Sequence, residues 1–326
     1  MILKRKYILL LSCMILFISS STNTFAFEKV GVTSFQFLKV MPGARSTSLG
    51  NAYSSVAKGA DAMFWNPAGL TKSKNFGISA SHIDWFLDTK HFSFSGAYSL
   101  SSAMSIGIMG MNVDYGTIEV TTVDALGPTE EGYNPGLTGE TIHPGANLVG
   151  IAFGQRLTNK FSYGITAKYV TENMDVKSKS IIMFDGGVLF DTKFRSMVLS
   201  ATIRHFGPEV TYYDKDFPLP QTLNIGISAN IISPQESLLG TTSNHSILMA
   251  FDIVQPRDYD QQYNIGFEYS FSDILFLRSG YRINYDTGGL TLGFGIKYKS
   301  IKMDYSYNDF GDYLDNVNRF TVGFEL

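Results

Sequence analysis

From residue 75 to the C-terminus, apolar and polar residues alternate with a period of two, in segments of about ten residues. The last segment is clearest. Phe320, Val322, Phe324 and Leu326 share one face, while Thr321, Gly323 and Glu325 share the other. Leu290, Leu292, Phe294, Ile296 and Tyr298 alternate with Thr291, Gly293, Gly295 and Lys297. Tyr263, Ile265, Phe267 and Tyr269 alternate with Asn264, Gly266, Glu268 and Ser270. A pleated strand sends successive side chains to opposite faces, so each segment is a strand with one oily and one polar side. The pattern predicts about fourteen strands. Their spans are 75–84, 89–99, 104–122, 146–157, 161–173, 180–191, 197–206, 220–232, 245–254, 261–270, 274–284, 289–298, 301–308 and 319–326.

Two architectures share this alternation. A soluble sandwich buries the oily face, and a membrane barrel turns it to lipid. The polar faces are dominated by Gly, Ser, Asn and Thr, which suits a crowded polar lumen. Tyr and Phe gather near strand ends, as an aromatic girdle does. Aromatics make up 14% of the 326 residues and charged residues only 17%, so the outside carries more apolar surface than water tolerates. Residues 1–26 read as a signal peptide: Lys4-Arg5-Lys6, an apolar run from Tyr7 to Ile18, then small residues around Thr24-Phe25-Ala26. The single cysteine, Cys13, lies inside that run, leaving the mature chain no disulfide. A lipoprotein reading would acylate Cys13, but the apolar run continues past it. The expectation is an all-β, transmembrane antiparallel β-barrel in the bacterial outer membrane, with outer-membrane lipid around it.

The stretch from Phe35 to Leu70 breaks the alternation. It is rich in Ala, Gly and Ser and ends in Trp65-Asn66-Pro67-Ala68-Gly69-Leu70. Asn bonds local backbone, Pro fixes φ and Gly permits positive φ, so this end reads as a rigid turn. Small residues let backbones approach closely, which predicts a plug wedged into the lumen. The chain then divides into a signal peptide (1–26), a plug (27–73) and a barrel (74–326).

Connections sort by parity. Short ones fall around Ser101-Ser102, Thr158-Asn159, Lys193, Ser272 and Lys299-Ser300; the other set holds the loops Ala125–Gly145 and Gly207–Leu219. Outer-membrane barrels keep short turns on the periplasmic side, which puts both termini there. The turn Ser233–Asn244 is long on the short side and breaks the rule. Strand three also departs. Ile106 and Ile108 are in one phase, Met109, Met111, Val113 and Tyr115 in the other, and Ile118 and Val120 return to the first. Held in one sheet, such a strand needs a bulge near Gly107–Gly110 and another near Gly116.

The pattern F-x-F-L-K…G-A-R-S…L-G-N-A…A-D-A-M-F-W-N-P-A-G-L resembles the N-terminal signature of the PorV/PorQ family. That family is related to the FadL-like fourteen-stranded outer-membrane transporters. Asp304-Tyr305-Ser306-Tyr307, Phe310-Gly311-Asp312 and Asn318-Arg319-Phe320 are similar to its C-terminal end. The resemblance implies a docking or shuttle component of type IX secretion, with secreted or surface proteins and secretion-machinery components as partners. FadL-like relatives instead imply passage of hydrophobic small molecules past a plug and out beside a kinked third strand. The two functions separate on the interior. A continuous apolar tunnel ending at a gap by strand three favours transport, and a polar, plugged lumen with apolar outer loops favours docking.

Charge and chemistry narrow the rest. A net charge of -3 gives no case for nucleic-acid binding. Within the plug, Arg45 and Asp61 are candidates to latch onto inward-facing Glu268, Arg278, Arg282, Asp304 and Glu325; the alternative is that each is solvated in a wet lumen. Trp65, Asn66, Pro67, Ala68 and Gly69 form the plug motif, with Asn66 and Gly69 read as structural. His82 and His91 sit symmetrically about Phe86-Leu87 and could face each other across a hairpin, but no histidine shows metal-ligand spacing. No G-x-S-x-G or Ser, His and acid set is evident, so no enzyme, cofactor or metal site is expected. The loop GPTEEGYNPGLTGETIHP is long enough to cover the pore or meet a partner, or to be plain surface.

Overall fold

The computed structural model describes residues 31–73, 75–130, 132–174, 177–212, 214–311 and 314–326. The signal-peptide reading and the mature N-terminus it implies lie outside them.

Fourteen antiparallel strands close into one barrel. They are β1 (Phe76–Asp84), β2 (Lys90–Ser99), β3 (Met104–Asp114), β4 (Gly145–Arg156), β5 (Phe161–Asn173), β6 (Ser178–Asp191) and β7 (Val198–Phe206). The second half is β8 (Thr222–Ser233), β9 (His245–Pro256), β10 (Gln262–Phe271), β11 (Leu275–Ile283), β12 (Leu290–Tyr298), β13 (Ile301–Asn308) and β14 (Val317–Glu325). Each strand pairs with its sequence neighbour, and β1 pairs with β14 from Gly77↔Glu325 to Asp84↔Asn318. That last ladder removes the two free edges an open sheet would expose. We refer to the barrel end carrying Leu326 as the terminal end, and to the other as the loop end.

The oily faces point outward. Ile108, Ile151, Phe294 and Met303 are 58%, 66%, 47% and 58% exposed. Among the described residues no second sheet covers them, and the strands close on themselves, which excludes the sandwich alternative. A closed barrel with this surface is stable only where acyl chains replace water around it. The inward faces carry Ser79, Ser81, Ser93, Ser95, Thr202, Thr291, Ser306 and Thr321, all buried.

Strand three corrects the expectation of bulges. The β2–β3 ladder runs unbroken from Ser99↔Ser105 to Lys90↔Asp114, and the β3–β4 ladder is continuous as well. Ile106 and Ile108 face out while Met109, Met111 and Val113 are buried within. The change of phase is a change in lumen chemistry, from polar to apolar, and not a slip of register. At Asp114 the strand ends. Gly116, with φ of +77°, turns the chain out of the sheet, where a Cβ would be strained. What was read as strand and loop is a separate hairpin, Ile118–Thr129 with Gly132–Ile142, projecting from the loop end. The real irregularities lie elsewhere: between Phe184 and Gly186 opposite β7, and between Asn230 and Ile232 in β8. The long turn after β8 folds back on its own strand, Leu239 N–H donating to the Ile231 carbonyl at 3.0 Å.

His82 and His91 do not face each other. Ile83 pairs with His91 and His82 with Phe92, so the two rings sit on opposite faces of the sheet, His82 outside and His91 buried.

An Ile151→Arg barrel should lose roughly 2–4 kcal/mol of stability in lipid vesicles, because its mid-strand side chain meets hydrocarbon. Urea titration in vesicles measures it; an unchanged midpoint would argue against a lipid-facing surface.

Candidate functional site

Residues 31–73 occupy the lumen. They run from the loop end, where the Ser34 N–H donates to the Pro218 carbonyl at 2.9 Å, toward the terminal end, where the Thr71 carbonyl accepts from Arg156 Nη2 at 2.8 Å. Only short helical turns form, over Gln36–Lys39, Ala44–Ser48, Gly59–Asp61, Ala62–Trp65 and Pro67–Lys72. Runs of Gly, Ser and Ala with few large side chains cannot sustain longer helices without packing on every side. Here the barrel wall packs them. A Cβ on Gly280 would lie 2.1 Å from the backbone nitrogen of Gly50, and one on Gly164 2.3 Å from the carbonyl carbon of Pro67. The wall is glycine where the plug backbone touches it.

Each residue of the plug motif has a structural task. Asn66 is fully buried; its Oδ1 accepts from Ala68 N–H at 3.1 Å, capping the next turn, while Nδ2 donates to the carbonyls of Ser54 and, in β6, Val188. Pro67 begins that turn, where a missing N–H costs nothing. Ala68 is buried, and a Cβ on Gly69 would strike the Ala57 carbonyl at 2.3 Å. Trp65 donates from Nε1 to the Pro42 carbonyl at 3.2 Å and meets Tyr53 edge-on at 5.6 Å.

Three of the five inward charges join Arg45 in one network. Arg45 Nε and Nη2 donate to the two oxygens of Glu268 at 2.8 and 2.7 Å. Arg278 Nε donates to Glu268 at 2.6 Å, and its Nη1 to Asp304 at 2.8 Å. Lys302 adds a contact to Asp304 at 3.3 Å. Arg282 lies apart, its guanidinium 4.7 Å from the Phe310 ring centre. Asp61 and Glu325 line the wide mouth at the terminal end. Several contributors carried no sequence signal. Asp252 accepts from the backbone N–H groups of Tyr53 and Ser54, Asp258 accepts from Thr33, and Lys168 pairs with Asp185 inside the wall.

Two cavities flank the plug and share no lining residue. The terminal-end one, about 1010 Å³, is polar and bears Lys58, Asp61, Glu268, Lys297, Lys302 and Glu325. The loop-end one, about 970 Å³, is apolar, and it is the stronger candidate site. Its walls are Phe35, Phe37 and Val40 of the plug, Trp85, Phe86 and Leu87 between β1 and β2, Met174, and Phe217. Behind them, Phe310 packs edge-on against Phe86 at 4.9 Å and Trp85 at 5.4 Å. Three polar groups converge at one side. Tyr115 and Tyr212 donate from their hydroxyls to the two oxygens of buried Glu172, at 3.0 and 3.2 Å. Burial and the Glu172 charge both push the two phenols up, Tyr212 to about 12, so each stays protonated and donating. Among the described residues no group of His, Cys, Asp and Glu could hold a metal ion.

No family model and no curated protein matches this sequence. Solved structures do match the fold. The chain covers 88% of its length against the CymD monoaromatic hydrocarbon channel and 98% of that chain, at 12% identity and a TM-score of 0.54. Against the Pseudomonas putida toluene transporter TodX the figures are 86% and 96%, 12% identity and 0.58. The chain has the fold of these channels. At this identity the match carries the barrel architecture and nothing about individual residues.

Replacing Arg45 by Met should cost roughly 3 kcal/mol, the low end for stranding a buried partner charge. Arg45→Lys, which keeps the charge but loses the two-pronged bond, should lose less. Thermal melting in detergent ranks the variants, and planar-bilayer conductance reads plug loosening as larger, more frequent openings in Arg45→Met. Equal melting temperatures and conductance for all three proteins would show that the plug does not depend on this contact.

Proposed function

We propose that this chain is an outer-membrane channel for small hydrophobic molecules, which enter at the loop end. The single observation that carries the reading is the apolar, aromatic-walled loop-end cavity, seated directly on the plug. It is supported by the shared fold with CymD, described as a monoaromatic hydrocarbon channel, and TodX, described as a toluene transporter. The oily exterior and the signal-peptide pattern fit an outer-membrane location. Connection lengths favour the loop end as the outer one. The apolar lumen wall formed by Met109, Met111, Leu148, Val170 and Met183 continues from the cavity along the plug. It offers a route on which a hydrocarbon exchanges one apolar contact for another. The unbroken ladders of β3 place no side opening at that strand. A transport cycle therefore needs the plug to shift.

One observation favours the other reading, a PorV/PorQ-like docking or shuttle role in secretion. The hairpin Ile118–Ile142 projects from the loop end with Val123 and Tyr133 at 81% and 68% exposed, a surface able to meet a protein partner.

Vesicles with a lipopolysaccharide outer leaflet, whose dense sugar layer slows hydrocarbon entry, should take up toluene faster when they carry the full-length protein than when protein-free. Trp85→Ala should slow that uptake severalfold by removing a cavity wall, while leaving the barrel's melting temperature within a few degrees. Uptake equal to empty vesicles would remove the transport reading. Deleting residues 118–142 separates the alternatives: uptake that survives, with loss of a secreted protein from the cell surface, would favour docking.

A further inference from the structure

The loop-end cavity is apolar but not electrically neutral. No lysine or arginine is among the described residues that line it, whereas Glu172 and Asp315 are. Glu172 is 7% exposed, and the lining His91 is 1% exposed with its Nδ1 lacking a hydrogen-bond partner. A carboxylate oxygen accepts more than one hydrogen bond. Each Glu172 oxygen therefore keeps capacity beyond the single tyrosine it holds. The two tyrosines orient the carboxylate and spend their own protons on it, so they offer an incoming ligand acceptor lone pairs and no free O–H. At Glu172 the cavity thus presents negative charge and acceptor lone pairs, beside aromatic rings whose faces favour a cation. The cation that packs against that wall, Arg319, lies 5.4 Å from the Trp85 ring centre and is not among the described residues that line the cavity.

Resting on the transport reading above, we infer that this cavity takes compact apolar molecules bearing one protonated amine, and turns away apolar carboxylates. Glu172 is the residue that discriminates. A carboxylate of the same size would bring a second negative charge beside a buried one with no cation in the lining to receive it, and like charges in a desolvated site repel strongly. An ammonium group meets Glu172 by a charge-assisted hydrogen bond, and its hydrocarbon part stays against Trp85, Phe86 and Phe35.

The test is equilibrium binding to the full-length protein in detergent at neutral pH, read by the fluorescence of Trp85 in the cavity wall. Three probes of matched size serve: phenethylammonium, ethylbenzene and 3-phenylpropanoate. Phenethylammonium should bind about tenfold or more tighter than 3-phenylpropanoate, an ion-pair effect of modest size. In Glu172→Gln, which keeps the side chain's shape, that ratio should fall below about threefold while ethylbenzene binds as before. The wild-type ratio alone decides the matter should the variant fold poorly. Equal or tighter binding of 3-phenylpropanoate overturns the inference, as does a ratio that survives in Glu172→Gln. If ethylbenzene binds and neither ion is preferred, the charge selectivity fails while transport of hydrocarbons stands. If none of the three binds, both readings fail.

Discussion

Contact between the plug backbone and a barrel wall that lacks side chains at those points is the constraint on which the rest of the structure depends. Gly280 meets the backbone of Gly50, Gly164 that of Pro67, and Gly266 that of Leu49, each closer than a Cβ would permit. That closeness explains both compositions. The plug is built of Ala, Ser and Gly because there is no room for more. The inward strand faces carry glycine among their hydroxyls for the same reason. It also brings irregular backbone within reach of the wall. Ala44 N–H donates to Thr321 Oγ1 at 2.8 Å, Gly50 N–H to Thr291 Oγ1 at 3.0 Å, and Ser54 N–H to Asp252 at 2.9 Å. Buried amides of short turns have few partners of their own, and an unpaired one is costly. Serines, threonines and one aspartate of the wall take the place that water would hold.

The same geometry sets what could be read from the chain. Alternation with period two follows from the pleat alone, so strand number and the lipid-facing side are legible in the sequence. The composition of the inward face is not fixed by the pleat. It depends on what the lumen holds. Reading the lumen as uniformly polar made the run Met109, Met111, Val113 look out of phase and suggested bulges. Those side chains are in phase, pointing inward against Met41, Met63 and Leu70 of the plug. The irregularities that do exist in the barrel, near Asp185 and His205 and near Ile231, have no periodic signature, because a single extra residue close to a strand end leaves too few residues beyond it to show a change of phase.

The latch was legible only in part for a related reason. Sequence places a residue on the inner or outer face but not at a height or an angle around the axis. Arg45 has Glu268 as its partner because Glu268 and Arg278 are paired across adjacent strands, and Arg278 reaches over the glycine-lined β12 to Asp304 on β13. Arg282 shares the inward face and strand β11 with Arg278, yet sits four residues, two pleat repeats, nearer the loop end, beside Tyr285 and Phe310. Glu325 shares the face and lies at the opposite mouth. Asp252 was overlooked because a lone carboxylate in a strand looks like any other lumen charge. Its role appears only when the plug's unpaired amides arrive beside it.

The plug is therefore held in two chemically different ways on opposite sides. Against β9 to β14 it is bound by directional contacts: the Arg45 network, the Asp252 cap and the hydroxyl bonds of Thr291, Ser306 and Thr321. Against β3 to β6 the contact is largely apolar packing through Met109, Met111, Leu148, Val170 and Met183. Separating the first side leaves charges and amides without partners, a cost of several kcal/mol for the network alone. Separating the second side exposes hydrocarbon, and an apolar molecule sliding in restores most of what is lost. Methionine suits that wall, since its unbranched side chain re-packs around different shapes at little cost. The asymmetry gives the plug a hinge side and a yielding side, and the yielding side is continuous with the aromatic cavity at the loop end. A polar solute has no such exchange to offer, so on the channel reading proposed above a plug fastened in this manner would resist water-soluble molecules and yield to oily ones.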